Sequence, residues 1–259
     1  MRVRVKFAKY GPMKFIGHLE LMRYLQSAVR RTEIPGKYDE GMHQRMVMSF
    51  AMPLGVGPTS SAEYMDIELE APISSEKAMQ QLAPHMCEGL ETLDFREVDS
   101  GKKQKAMTIV AAADYEVWFR EGFEPDWDWK GALREFCARE TIPWVKETKK
   151  GTREVDMRAW IYDWALMEDC EPAKVYFRLC CSVGDNLKPE QLFGEMFRSY
   201  GHDLPPFALQ VHRLDLLTRV EGEQEPAEAG VTGAACAGAA GSTGFTGFVS
   251  LGELGQRIV

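Results

Sequence analysis

An α+β fold carrying the order β-α-β-β-α-β twice is what the sequence predicts, and three observations predict it. Arg2–Ala8 alternates polar and apolar residues with period two, the pattern of a half-buried strand. From His18 the apolar residues change to helical spacing, with His18, Leu21, Met22, Leu25, Ala28 and Val29 on one face. The same succession of strand and helix patterns then recurs beyond residue 106.

Taken in order, Gly11-Pro12 breaks the first strand. Gly17 can cap a helix whose third position, Glu20, suits a capping-box carboxylate, and Thr32 to Pro35 ends it. Gly36 to Gln44 reads as a loop, Met46–Met52 as a strand, and Pro53 to Pro58 as a turn region. Glu63–Leu69 alternates again. A helix opens at Ser74-Ser75 and runs to about Cys87, Gly89 stops it, and Glu91–Val98 is a strand.

In the second half the expected elements are a strand at Asp114–Phe119 and a helix over Asp126–Glu140. Strands follow at Trp144–Thr148, at Glu154–Met167 with a bend near Trp160, and at Lys174–Val183. A helix from Lys188 to Tyr200 and a strand at Phe207–Leu217 complete the pattern. Each half thus has the split-βαβ, ferredoxin-like (βαββαβ) order: an antiparallel sheet with helices on one face. The predicted division is 1–100, a linker at 101–106, and 107–218 with an extra hairpin. Residues 219–259 form a tail, acidic and then rich in Gly and Ala, that is expected to be largely disordered. Within it, the apolar end from Phe245 to Val259 is expected to dock weakly.

Composition narrows the function. The chain has 259 residues, 45% of them hydrophobic and 27% charged, as in an ordinary globular protein. No apolar run approaches the ~18–20 residues that span a bilayer, and MRVRVKFAKY lacks the apolar core of a signal peptide. A cytoplasmic protein without a membrane segment is expected. The formal charge of −8 argues against a surface coated for nucleic acid, yet residues 1–45 hold ten Lys/Arg against four Asp/Glu. The six cysteines form no CxxC or CxxxCxxC spacing, so neither a metal site nor a cofactor is expected from this chain alone.

His18 is the first chemical candidate: a helix N-terminus disfavours imidazolium, leaving a neutral histidine able to exchange protons as a general acid or base on RNA, or to contact a phosphate. The alternative is a histidine on the apolar face that caps a backbone carbonyl. His43 lies in the glycine-bearing loop, as an acid–base candidate or an idle exposed side chain. Lys14, Arg23, Arg30, Arg31 and Arg45 are candidate phosphate contacts, or the solvated side of the helix and loop that carry them. Lys146, Lys149, Lys150 and Arg153 crowd a hairpin tip around Gly151. Asn186 and Lys188 lead from a turn into a helix N-terminus, where backbone N–H groups can hold an anion. All six tryptophans, Trp118 to Trp164, lie in the second half; an exposed subset would suit stacking on bases or on a partner protein. No nucleotide-binding loop, HExxH, GxSxG or paired-carboxylate motif is present.

The opening RVKFAKYGPMKFIGHLELMRYLQSAVRR resembles the start of the bacterial radical SAM-linked protein family, a domain of unknown function. Lys6, Phe7, Gly11, Phe15, His18, Leu19, Leu21, Met22 and Arg23 carry the likeness. It continues at Tyr38 and Gly41, at Ser49-Phe50-Ala51-Pro53-Leu54-Gly55 and at Glu63-Tyr64-Asp66-Ile67. It returns at Lys149-Lys150-Gly151, Glu154-Val155-Asp156-Arg158 and Asn186-Leu187-Pro189. The family's Asn-Pro-His-Pro run is replaced by His43-Gln44-Arg45-Met46, so Arg45 stands where the family histidine would be.

The resemblance implies an accessory partner of a radical S-adenosylmethionine enzyme, with the iron–sulfur chemistry on that other protein. A tandem ferredoxin-like layout with a histidine at its first helix also resembles the repeat-associated proteins that process CRISPR transcripts, although their glycine-rich C-terminal loop is not evident. The leading expectation is therefore a non-catalytic accessory module that binds RNA. The alternatives are a metal-independent endoribonuclease using His18 or His43, and a purely protein-binding adaptor.

Overall fold

The computed structural model describes residues 1–148, 151–220 and 247–259. The first half runs β1 (Arg2–Lys9), α1 (His18–Arg30), β2 (Met48–Phe50), β3 (Thr59–Glu68), α2 (Ser75–Leu82) and β4 (Leu90–Val98). A short helix α3 (Ala106–Ile109) leads into β5 (Val110–Phe119) and α4 (Trp129–Ala138). The hairpin β6 (Pro143–Thr148) and β7 (Gly151–Asp156) follows, then β8 (Ile161–Met167), β9 (Lys174–Cys180), α5 (Pro189–Ser199), β10 (Leu209–Arg219) and β11 (Phe248–Ser250).

Nine of the described strands form one sheet in the order β4-β1-β3-β10-β5-β9-β8, with β2 added to β3 and β11 to β10; β6 and β7 pair separately. All pairings are antiparallel except β3 with β10. The result is a mixed α+β fold built on one large, mostly antiparallel sheet, where the sequence suggested two separate sheets. The join is short. β2 takes the 65–67 end of one edge of β3, and β10 takes the 59–60 end through the pairs His212↔Thr59 and Arg213↔Ser60.

Period-two alternation decides what each strand buries. Val3, Val5 and Phe7 of β1 pack with Met65 and Ile67 of β3 under Leu21, Leu25 and Val29 of α1 and Ala78 and Leu82 of α2. In the second half Val117, Phe119, Phe177 and Val211 meet Leu133 and Phe136 of α4 and Phe193, Met196 and Phe197 of α5. The intervening residues of β1 point the other way, and Arg2 and Arg4 among them are buried too. Arg2 donates to the carbonyls of Asp99, Ser100 and Gly101. Arg4 forms a fork to Asp66 at 2.8 and 3.2 Å and also reaches the Gln104 carbonyl. The basic strand therefore pins the 99–106 connection to the back of the sheet, and two of the N-terminal cations leave the surface.

Boundaries shift for local reasons. α2 ends at Leu82 instead of about Cys87 because Pro84 has no N–H to continue the helix, and a 3-10 turn Ala83–His85 follows. α4 starts at Trp129, where Asp128 Oδ1 accepts from the Gly131 N–H at 2.9 Å. The strand expected over Glu154–Met167 is two strands divided by a 3-10 turn, Met157–Trp160. Most of the tail expected to be disordered, 221–246, lies outside the described residues. Residues 247–259 are structured: β11 pairs with β10, Leu251 is fully buried, and Gln256 and Glu97 exchange both backbone hydrogen bonds at 2.8 and 3.0 Å. Phe207, in the loop before β10, is held at φ 62°, a left-handed conformation that costs a bulky side chain about 1–3 kcal/mol.

Candidate functional site

The resemblance motifs from three separate stretches meet where β1 runs into α1. Beyond Lys9 the chain makes a 3-10 turn, Gly11–Phe15, with Gly11 at φ 52° and the Tyr10 N–H donating to the Gly89 carbonyl at 2.8 Å. Gly17 is the N-cap of α1. A Cβ there would lie 2.7 Å from Glu20 Oε2, so the carboxylate folds back over the helix start, but no side-chain capping hydrogen bond is formed there and the expected capping box is not made. The 53–58 turn comes alongside, the Gly57 N–H donating to the Lys14 carbonyl at 2.8 Å.

His18 is half-buried, its ring set edge-on against Phe50 at 5.1 Å and 90°. Burial pushes its pKa below the ordinary value; the Glu63 carboxylate opposes that shift and the Lys9 ammonium adds to it. The site therefore favours a neutral imidazole at neutral pH. Beneath it Lys9 is only 1% exposed, and its Nζ donates to the carbonyls of Ile16 at 3.3 Å and Gly55 at 3.4 Å. Desolvation lowers the Lys9 pKa, with Glu63 opposing and Arg213 assisting.

Arg213, 1% exposed, completes the cluster: its Nε donates to Glu63 Oε1 at 3.0 Å and its Nη2 to the Met52 carbonyl at 2.7 Å and to Glu63. One buried carboxylate thus pairs directly with Arg213 and acts at longer range on the buried Lys9 ammonium beside the histidine. Lys9, Glu63 and Arg213 are the residues that sequence reasoning missed. Lys9 lies just past the alternating stretch Arg2–Ala8 and out of phase with its polar positions, and Glu63 and Arg213 are 150 positions apart. The only available signal was the Glu63-Tyr64-Asp66 motif.

The surface over this cluster is partly apolar. Phe15 is 64% exposed and Leu19 57%, with the Lys14 Nζ 5.1 Å over the Phe15 ring. Along α1, Arg23, Arg30 and Arg31 are exposed, and neither they nor Lys14 form an ion pair among the described residues. His43 and Arg45 sit in an exposed loop where the Arg45 N–H donates to Asp39 Oδ1 at 2.9 Å.

The remaining candidates gather at the other end of the sheet. Lys146 lies 4.6 Å over the Trp160 ring and is the cross-strand partner of Arg153. Arg153 pairs with Asp185 at 3.1 Å, next to Asn186. Lys188 is exposed at the N-cap of α5, its backbone N–H donating to Gln191 Oε1. Lys149 and Lys150 lie outside the described residues. Five strand-to-strand steps of about 4.8 Å separate β1 from β8, so the two groups are two surfaces and not one site.

On the back of the sheet His212 bridges two hydroxyls of β3, with Nδ1 2.8 Å from Thr59 Oγ1 and Nε2 2.8 Å from Ser61 Oγ. Among the described residues no group of three or more His, Cys, Asp or Glu side chains is placed to hold a metal ion. No described helix is long and apolar enough to cross a membrane.

Residues 2–189 match a family described as an uncharacterized protein conserved in bacteria (DUF2344). No curated protein matches the chain.

Proposed function

The chain belongs to that uncharacterized bacterial family, and on that premise we propose that it is a cytoplasmic, non-catalytic module that binds RNA through α1 alongside a radical S-adenosylmethionine enzyme. The observation that carries the RNA reading is the row Arg23, Arg30 and Arg31, exposed on one helix without carboxylate partners among the described residues, in a protein of net charge −8. At 1.5 Å rise per residue the three guanidiniums spread over about 12 Å, suited to a polyanion and not to one small anion. Lys14 extends the row past the helix start. The enzyme partner rests on the sequence resemblance, whose Phe15 and Leu19 are the exposed apolar residues at the start of α1. We read the orders β4-β1-β3-β2 and β10-β5-β9-β8 as two ferredoxin-like units fused through the β3–β10 join.

Retention of a structured RNA on nitrocellulose at about 50 and 200 mM salt tests the reading. Binding at the lower salt that weakens steeply at the higher supports it; no binding at the lower salt removes it. A second reading is favoured by the chemistry around His18. A neutral, half-buried imidazole with Lys9 and Glu63 close enough to bias its protonation suits an endoribonuclease, with His18 as general base.

A further inference from the structure

We propose that the aromatic groove between α4 and α5 docks a cationic segment of a partner protein. Two loops run side by side there, residues 120–128 and 200–208. The Arg120 N–H donates to the Ala208 carbonyl at 2.9 Å, and the rings of Trp127 and His202 stack 4.3 Å apart at 7°. Beside the stack lies an open groove of about 430 Å³, lined by Trp127, Asp128, Glu135, Tyr200 and His202.

Aromatic faces beside carboxylates are the surroundings that a guanidinium or ammonium group prefers. The groove already shows this chemistry within the chain, where the Arg139 guanidinium lies 5.5 Å over the Tyr200 ring. Asp128 and Glu135 line the groove and Glu124, Asp126 and Asp203 stand on its two flanking loops, all exposed and none in an ion pair among the described residues. Such a rim repels phosphates, which makes RNA the wrong occupant and a basic polypeptide the complementary one. Phe207 stands on the same loop as His202, 81% exposed, and Phe123 on the facing loop is 40% exposed. A bulky, left-handed and exposed side chain on the loop that carries His202 adds an apolar anchor for that segment.

Fluorescence anisotropy of a labelled peptide of alternating arginine and glycine, titrated with the full chain, tests this surface. The expected result is saturable binding that Glu135→Lys and Phe207→Gly each weaken by about tenfold or more. Glu91→Lys makes the same charge change on the distant strand β4 and is expected to leave binding intact. Phe207→Gly removes a left-handed side chain from a residue that buries little, so its thermal midpoint is expected not to fall, which separates lost docking from lost folding. The proposal is overturned by absent binding, by unchanged binding in Phe207→Gly, or by equal losses in Glu91→Lys and Glu135→Lys. The RNA reading rests on α1, so either can fail without the other.

Discussion

Arg213 and Glu63 are joined across the seam between the two halves of the sheet, Nε to Oε1 at 3.0 Å, with both side chains almost wholly withdrawn from water. Among the described residues the backbone ladder between β3 and β10 consists of the pairs His212↔Thr59 and Arg213↔Ser60. The seam is therefore held as much by side chains as by the ladder: Arg213 to Glu63 on the helix side, His212 to Thr59 and Ser61 on the back. A third tie joins Tyr64 to Asp215, with the hydroxyl donating at 2.5 Å.

Removing one member of the buried pair leaves uncompensated charge. Glu63→Ala strands Arg213 and is expected to destabilise by about 3–5 kcal/mol, read as a lower urea midpoint. Replacing Glu63 and Arg213 together with apolar residues is expected to recover most of that loss. Equal loss in the single and double variants would show that packing, not charge pairing, dominates the seam.

Acid is expected to loosen the same seam. Burial holds the pKa of His212 below the ordinary 6.5, against the raising effect of Glu116 and with Lys174 assisting; His18 is lowered likewise. The unfolded chain then binds more protons than the folded one, so stability rises with pH. The contribution is fully present above 6.5 and is lost as the pH falls through the depressed folded values. Urea midpoints taken from neutral pH down to about pH 5 should fall for the wild type and fall less for His212→Gln.

The C-terminal segment is expected to be part of the folding unit. Leu251 is fully buried against the sheet, Ser250 Oγ donates to Asp215 at 2.7 Å, and the Ser75 N–H donates to the Ile258 carbonyl at 2.9 Å. Leu251→Ala should cost about 2–5 kcal/mol in chemical denaturation. A loss below about 0.5 kcal/mol would mean that the segment rests on the sheet without stabilising it.

What the sequence made legible is what depends on near neighbours. Period two identified β1 and β3, and helical spacing after Gly17 identified α1 and its cap. The single sheet was not legible, because a two-pair seam between residues some 150 positions apart leaves no local trace. Nor was the fate of the N-terminal cations. Arg2 and Arg4 alternate like a solvated face and Lys9 follows just past that alternation, yet carbonyls of the 99–104 connection, Asp66, and the carbonyls of Ile16 and Gly55 take them inside. The basic surface is consequently narrower than the count over residues 1–45 suggested, and it resides on α1. His18 was visible in the sequence, but the pair of charges beneath it was not.

His18→Ala separates the two readings of that histidine. As a side chain packed on Phe50 it should, when truncated, leave RNA affinity within about threefold, because phosphate contacts dominate binding. Labelled RNA that the wild type cleaves and His18→Ala does not would establish the endoribonuclease reading instead.

The most direct test of the central claim reverses charge along α1. RNA binding is to be measured for wild type and for the triple variant Arg23→Glu, Arg30→Glu, Arg31→Glu at several salt concentrations, with circular dichroism confirming that α1 remains folded. The account predicts that the variant loses most of its affinity and that the slope of log affinity against log salt falls by about 2–3. A folded variant that binds RNA with the wild-type affinity and salt slope would contradict it.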